Sequence, residues 1–144
     1  MSQYADSSFL VSCYVADANT AQAQAYLAIH PVSLAFTPLH GLEVRNALKL
    51  GVFRRLFPLS AAAAALTNLE NDLRNGRLAN TAVKWPIAFR LARRLSQRHT
   101  VSTGTRSLDV LHVAVAKSLR INEFVSFDSR QRALAALAGL NVGP

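Results

Sequence analysis

The sequence predicts an α/β fold, a central parallel sheet flanked by helices, and three observations predict it. Short, apolar, partly β-branched runs at residues 32–36 and 123–127 have the length and composition of buried strands. Longer stretches that open on capping residues lie between them and suit helices. The two kinds of segment alternate along the chain, which favours parallel strands joined by helical crossovers.

Each element has its own reason. Residues 3–6 make a short strand that ends at Asp6, and a helix follows over 7–15 with Asp6 or Ser7 as its cap. A second helix covers 20–29 and stops before Pro31, because proline disfavours helical geometry in the residue ahead of it. Residues 32–36 are a buried strand. Thr37-Pro38 then starts a helix strongly, a capping side chain followed by proline at the first helical position. That helix carries Leu39, Leu42, Val44, Ala47 and Leu48 and ends near Gly51. Residues 60–75 form the next helix, with Gly76 as its stop. After Pro86 a helix over 87–99 presents a basic face at Arg90, Arg93, Arg94 and Arg98. Ser107 caps a helix over 108–119, residues 123–127 are a strand, 129–139 the last helix, and Asn141 with Val142 an edge strand. No internal repeat and no Gly/Ser linker interrupts the series, so 1–144 reads as one domain.

Composition narrows the function. Hydrophobic residues make up 51% of the chain and charged ones 17%, which excludes a disordered chain. A single cysteine, Cys13, excludes an intramolecular disulfide, fits a reducing compartment, and is expected in the core on the first helix. The first ten residues carry Asp6 and lack a basic segment, and the longest apolar run, 59–66, is far below the roughly 20 residues that span a bilayer. A cytoplasmic, soluble protein without a membrane partner is therefore expected. There are 16 Lys and Arg against 8 Asp and Glu, a net charge of +8. Such a balance suits a polyanionic partner, because each neutralised phosphate releases counterions.

Four of those eight acids sit where acids are unusual. Asp6 closes an apolar strand, Glu43 lies between Leu42 and Val44 in a hydrophobic helix, Asp109 opens an apolar stretch, and Asp128 ends a strand. In an open parallel sheet, ligands bind at the carboxyl ends of the strands, which is where Asp6 and Asp128 are predicted. Glu43 and Asp109 fall in the first or second turns of helices that can start beside the same edge. Crowded carboxylates repel unless a cation lies among them, and hard oxygen donors select Mg²⁺ or Mn²⁺. The matching chemistry is phosphodiester hydrolysis, with arginines holding the backbone. Taken singly, Asp6 and Asp128 also read as helix caps, and Asp109 as an acid favoured by a helix N-terminus.

Two histidines lie three residues from these acids, His112 after Asp109 and His40 before Glu43. Residues three apart share a helix face, so a transition-metal site is one reading, and a packed histidine or a hydrogen-bonding partner of the acids the other. His112 also has the chemistry of a general base. One cysteine gives no zinc spacing, and neither a G-x-S-x-G elbow nor a phosphate-cradling G-x-x-x-x-G-K-[ST] loop occurs. Trp85 suits either base stacking or a loop anchor on the core.

Four segments, in order and covering residues 4–142, resemble the motifs of PIN-domain ribonucleases, especially VapC-type toxins. Tyr4-Ala5-Asp6-Ser7-Ser8-Phe9-Leu10-Val11 is similar to their opening strand and helix, and Thr37-Pro38-Leu39-His40-Gly41-Leu42-Glu43 to their second acidic motif. Arg106-Ser107-Leu108-Asp109-Val110-Leu111-His112-Val113-Ala114 is similar to the third, and Phe124-Val125-Ser126-Phe127-Asp128-Ser129-Arg130-Gln131 to the fourth. The resemblance implies a three-layer α/β/α fold and Mg²⁺- or Mn²⁺-dependent cleavage of single-stranded RNA. It implies Asp6, Glu43, Asp109 and Asp128 as the catalytic, metal-binding acids, with Ser8, Ser126 and His112 as supporting residues around them. Arg90, Arg93, Arg94, Arg98 and Arg130 are the expected RNA contacts. A homodimer, and a cognate antitoxin whose tail covers the site, are the implied partners. A non-catalytic RNA-binding module of the same fold and a housekeeping RNA-processing nuclease are the competing readings.

Overall fold

In the computed structural model, which describes residues 2–144, two helices separate successive strands up to β4 and one separates β4 from β5, five strands and seven helices in all. They are β1 (Tyr4–Ala5), α1 (Ser7–Tyr14), α2 (Thr20–Ile29), β2 (Leu34–Phe36), α3 (Pro38–Phe53), α4 (Leu59–Arg74), β3 (Leu78–Asn80), α5 (Trp85–Thr103), α6 (Ser107–Ser118), β4 (Glu123–Val125), α7 (Ser129–Leu137) and β5 (Asn141–Gly143). All strand pairs are parallel. They make a three-stranded ladder, β1-β4-β5, and a two-stranded one, β2-β3. A parallel bridge between Gln3 and Leu34 joins the two, through Gln3 N–H to the Ser33 carbonyl at 3.2 Å and Ala35 N–H to the Gln3 carbonyl at 2.9 Å. The resulting order is β3-β2-β1-β4-β5. The chain builds outward from β1 to one side, then returns to build outward on the other, so its topological switch point lies between β1 and β4.

Strand side chains alternate between two hydrophobic cores, one on each face of the sheet. Tyr4 and Phe124, in register and stacked with ring centroids 5.7 Å apart, face the core shared with α5, α6 and α7. Ala5 and Val125 face the other, shared with α1, α2 and α4, and α3 contributes to both through Leu39 on one side and Val44 and Leu48 on the other. Strands of two or three residues offer few ladder hydrogen bonds. Burial of these two apolar layers therefore carries most of the cohesion.

Helix starts are well determined. Thr37 and His40 form a capping box, and Pro38 opens α3 as expected. At the far end of α3, Gly51 is required by packing: a Cβ there would lie 2.2 Å from the Phe57 ring. Gly104 ends α5 in the left-handed region with φ 66°. Several predicted boundaries move. The second strand starts at Leu34, because the Val32 N–H bonds locally to the His30 carbonyl. β4 ends at Val125, since the chain turns toward the α7 cap straight afterwards. Ser107 is the first helical residue of α6, and Arg106 occupies the cap without a side-chain bond. α5 is longer than expected at both ends, and Trp85 in its first turn packs against the core as an anchor. Cys13 packs, partly buried, against the α1-side core, and burial pushes its thiol up to about 12. Among the described residues, no helix is long and apolar enough to cross a membrane.

Candidate active site

The carboxyl ends of β1 and β4 point to the same edge, and each strand hands the chain directly to a helix there. Asp6 follows β1 and caps α1, its Oδ1 accepting the Phe9 N–H at 2.8 Å. Asp128 lies three residues past β4 and caps α7, its Oδ1 accepting the Gln131 N–H at 2.8 Å. The capping reading is thus correct for both, and each cap engages one carboxylate oxygen and leaves the other. Between them Ser126 is fully buried. Its hydroxyl lies 3.2 Å from Asp6 Oδ2 and 2.8 Å from Gln131 Oε1, and it accepts the Asp128 N–H at 3.0 Å.

Asp109 stands in the first turn of α6, half-buried, with the exposed Arg106 guanidinium 3.5 Å away. Burial raises the Asp6 carboxyl to about 6, against the stabilising Phe9 N–H, and Asp109 pushes it the same way as burial does. Burial likewise raises Asp109, with Arg106 opposing and the Asp128 charge adding to the rise. Three acids distant in sequence therefore share one electrostatic neighbourhood.

Glu43, in the second turn of α3, joins them through His112. The His112 Nε2 lies 2.5 Å from Glu43 Oε1, and its Nδ1 meets the Tyr4 hydroxyl at 2.8 Å. Burial pushes that phenol well above its ordinary value, with Glu43 and Asp6 adding to the rise. Ser7 Oγ completes the group, 3.3 Å from both Glu43 Oε1 and His112 Nε2. His112 is thus buried and in direct contact with Glu43. The serine assignment shifts by one residue: Ser8 is exposed on α1, and the hydroxyl that reaches the acids there belongs to Ser7. Helix phase decides this, since adjacent residues point about 100° apart.

His40 belongs to the scaffold. Its Nδ1 accepts the Thr37 N–H at 3.0 Å, so its Nε2 carries the hydrogen and donates to the Ala5 carbonyl at 2.8 Å. Burial lowers it to about 3. With both ring nitrogens committed to the backbone, it offers no lone pair to a transition metal. It ties the first turn of α3, and hence Glu43, to the last residue of β1.

The donor chemistry fits a hard divalent cation: Asp6 Oδ2 meets only the Ser126 hydroxyl, Asp128 keeps the oxygen its cap does not use, and a half-buried Asp109 lies in electrostatic reach of both. The arrangement is open: among the described residues no three His, Cys, Asp or Glu side chains are close enough together to hold a metal ion. Mg²⁺ needs less than such a cage, because it keeps several waters and uses one or two carboxylates.

The expected RNA-contacting arginines lie on α5 and α7. Arg90, Arg93, Arg94 and Arg98 are exposed on the side of α5 opposite its buried Ala88, Ala92 and Leu95. Arg130 is exposed in the first turn of α7, its side chain against Gly104 at the end of α5. Thr105 Oγ–H donates to the Arg130 carbonyl at 3.3 Å, which fixes the carboxyl end of the basic helix beside the acids. Sequence reasoning passed over Ser7, Tyr4 and Gln131. Only the capping-range position of Ser7 gave any signal, because a polar residue inside a helix reads as solvated.

No family model matches the chain, and no curated protein matches it in sequence. Among solved structures it is similar to the crystal structure of PAE2754 from Pyrobaculum aerophilum, with a TM-score of 0.59 and 22% sequence identity. The likeness covers 98% of this chain and 83% of that one. At this identity it speaks for the fold: an α/β arrangement of helices about a small parallel sheet.

Proposed function

We propose that the protein is a metal-dependent endoribonuclease acting on single-stranded RNA, with a three-layer α/β/α fold of the PIN type. The observation that carries this reading is the meeting of Asp6 and Ser126 at the carboxyl ends of adjacent strands, with Asp109 in electrostatic reach of both Asp6 and Asp128. That meeting point is the topological switch of the sheet, where open α/β folds bind ligands. Asp6, Glu43, Asp109 and Asp128 would hold Mg²⁺ or Mn²⁺. When bound, the ion supplies charge to a phosphoryl oxygen and lowers the pKa of a coordinated water. Ser7 and His112 fix Glu43 Oε1 and leave Oε2 for the site. The arginines of α5, with Arg130, hold the phosphodiester backbone as point charges and forks.

In this reading the protein is the toxin of a toxin–antitoxin pair. Exposed Phe53, Leu56 and Leu59 around the α3–α4 corner provide apolar surface for a partner chain, either an antitoxin or a second copy. One observation favours a different reading, a non-catalytic RNA-binding module: the acids form no closed ligand cage.

The deciding experiment incubates the purified protein with a single-stranded RNA in Mn²⁺, in Mg²⁺ and in EDTA. The nuclease reading expects cleavage with either metal and none in EDTA. D6N and D109N should each lose activity on the order of a hundredfold or more while still binding RNA. Binding without cleavage under every condition would establish the non-catalytic module instead.

A further inference from the structure

Gln131 is a fully buried amide at a helix position where an apolar side chain would pack without needing any partner. Both ends of the amide are engaged. Only a donor can face the Asp109 carbonyl oxygen, 3.2 Å from one terminus, so that terminus is Nε2. The other terminus, 2.8 Å from Ser126 Oγ, is then Oε1, an acceptor. Ser126 has one hydroxyl proton and two acceptors in reach, Gln131 Oε1 at 2.8 Å and Asp6 Oδ2 at 3.2 Å. The Asp128 N–H, 3.0 Å away, takes up a lone pair of the same oxygen. The Asp109 carbonyl thus sets the amide, the amide sets the hydroxyl, and the hydroxyl faces Asp6.

We propose that Gln131 is a positioning residue that draws the Ser126 proton away from Asp6, leaving Asp6 Oδ2 open to a divalent cation. The inference rests on the metal-site reading above and adds to it a role for a residue that touches neither ion nor substrate. Without the amide acceptor, the Ser126 proton has Asp6 as its only partner. A carboxylate oxygen that already accepts a hydrogen bond is a poorer cation ligand, because the bond takes one of its two lone pairs and draws electron density from the other. The effect of removing Gln131 therefore depends on the Ser126 hydroxyl being present.

The test measures Mn²⁺ affinity of the full chain by calorimetry in the absence of RNA, for wild type, Q131M, S126A and the double variant. Q131M should bind Mn²⁺ about tenfold more weakly, about the worth of one hydrogen bond to a charged group that the ion then has to displace. Removing the hydroxyl as well should restore affinity to within about threefold of wild type, a rescue that a purely structural tie does not give. Unchanged affinity in Q131M, or a double variant weaker than Q131M, would overturn the proposal. Q131L removes the same acceptor and takes the place of Q131M if thermal melts show that Q131M does not fold. D6N serves as the control for the underlying reading: wild type that fails to bind Mn²⁺, or D6N that binds it equally, overturns the metal site and this inference with it. Wild-type binding lost in D6N but unaffected by Q131M or Q131L overturns this inference alone.

Discussion

Asp6 is an acid held where ionised acids are disfavoured, and the sign of that strain is testable. Its carboxyl is raised from 3.8 to about 6, chiefly by burial. Between those values the folded state holds a proton that the unfolded state has released, so this residue's contribution to stability falls as pH rises from about 4 to about 6. The shift amounts to about 3 kcal/mol. His40, lowered by burial to about 3, contributes the opposite slope over the same range. The comparison with D6N isolates Asp6: in EDTA at pH 7.5, D6N should be more stable than wild type, and the difference should shrink toward pH 4. A D6N protein that is equally or less stable at pH 7.5 would show that the Asp6 carboxylate is not strained. The placement of Asp6 and Asp128 as helix caps at strand ends was legible in the sequence, because acids are conspicuous after apolar strands in a basic chain. Ser7 and Gln131 were not. Two adjacent serines leave the helix phase open, and a glutamine in a helix carries no mark of burial until the fold supplies a carbonyl and a hydroxyl for its amide.

At the scale of elements, α5 carries the substrate-binding argument. Its outward arginines make no salt bridge among the described residues, so each is available to a phosphate. Replacing Arg90, Arg93, Arg94 and Arg98 together with Ala should leave the fold intact, because all four side chains are exposed. It should weaken single-strand RNA binding and reduce the slope of log affinity against log salt by about 0.7 for each lost contact. A salt slope identical to wild type would remove α5 from the RNA interface. Helices were the most legible elements, since caps such as Thr37-Pro38 and stops such as Gly76 act within a few residues. The strand β3 escaped notice for a physical reason: of its three residues only Leu78 is buried, so there is no alternation to read. The splitting of the sheet into two ladders was equally hidden, because it turns on the single bridge at Gln3.

For the whole molecule, a basic body surrounds one acidic edge. The net charge of +8 draws a polyanion to the surface, while the acids collected beside β1 and β4 repel it locally until a cation intervenes. On the proposed metal reading, cation binding and folding are linked. At a Mn²⁺ concentration of roughly 100 times its Kd the folded state gains about 2.7 kcal/mol. For a chain of this size that raises Tm by roughly 5–10 °C. The rise should vanish in D109N, and an equal rise in D109N would place the ion elsewhere.

The contact between Ser126 and Asp6 spans 120 residues of chain. Synthesis proceeds from the amino end, so a growing polypeptide holds Asp6, Glu43 and Asp109 before the residues that complete their surroundings leave the ribosome's exit tunnel. Until β4 slots beside β1, the half-made chain lacks both Ser126 and Asp128 and has a bare strand edge in their place. The parallel pairing thus sets an order: however early Asp6, Glu43 and Asp109 are made, the candidate site cannot assemble before β4 has paired with β1.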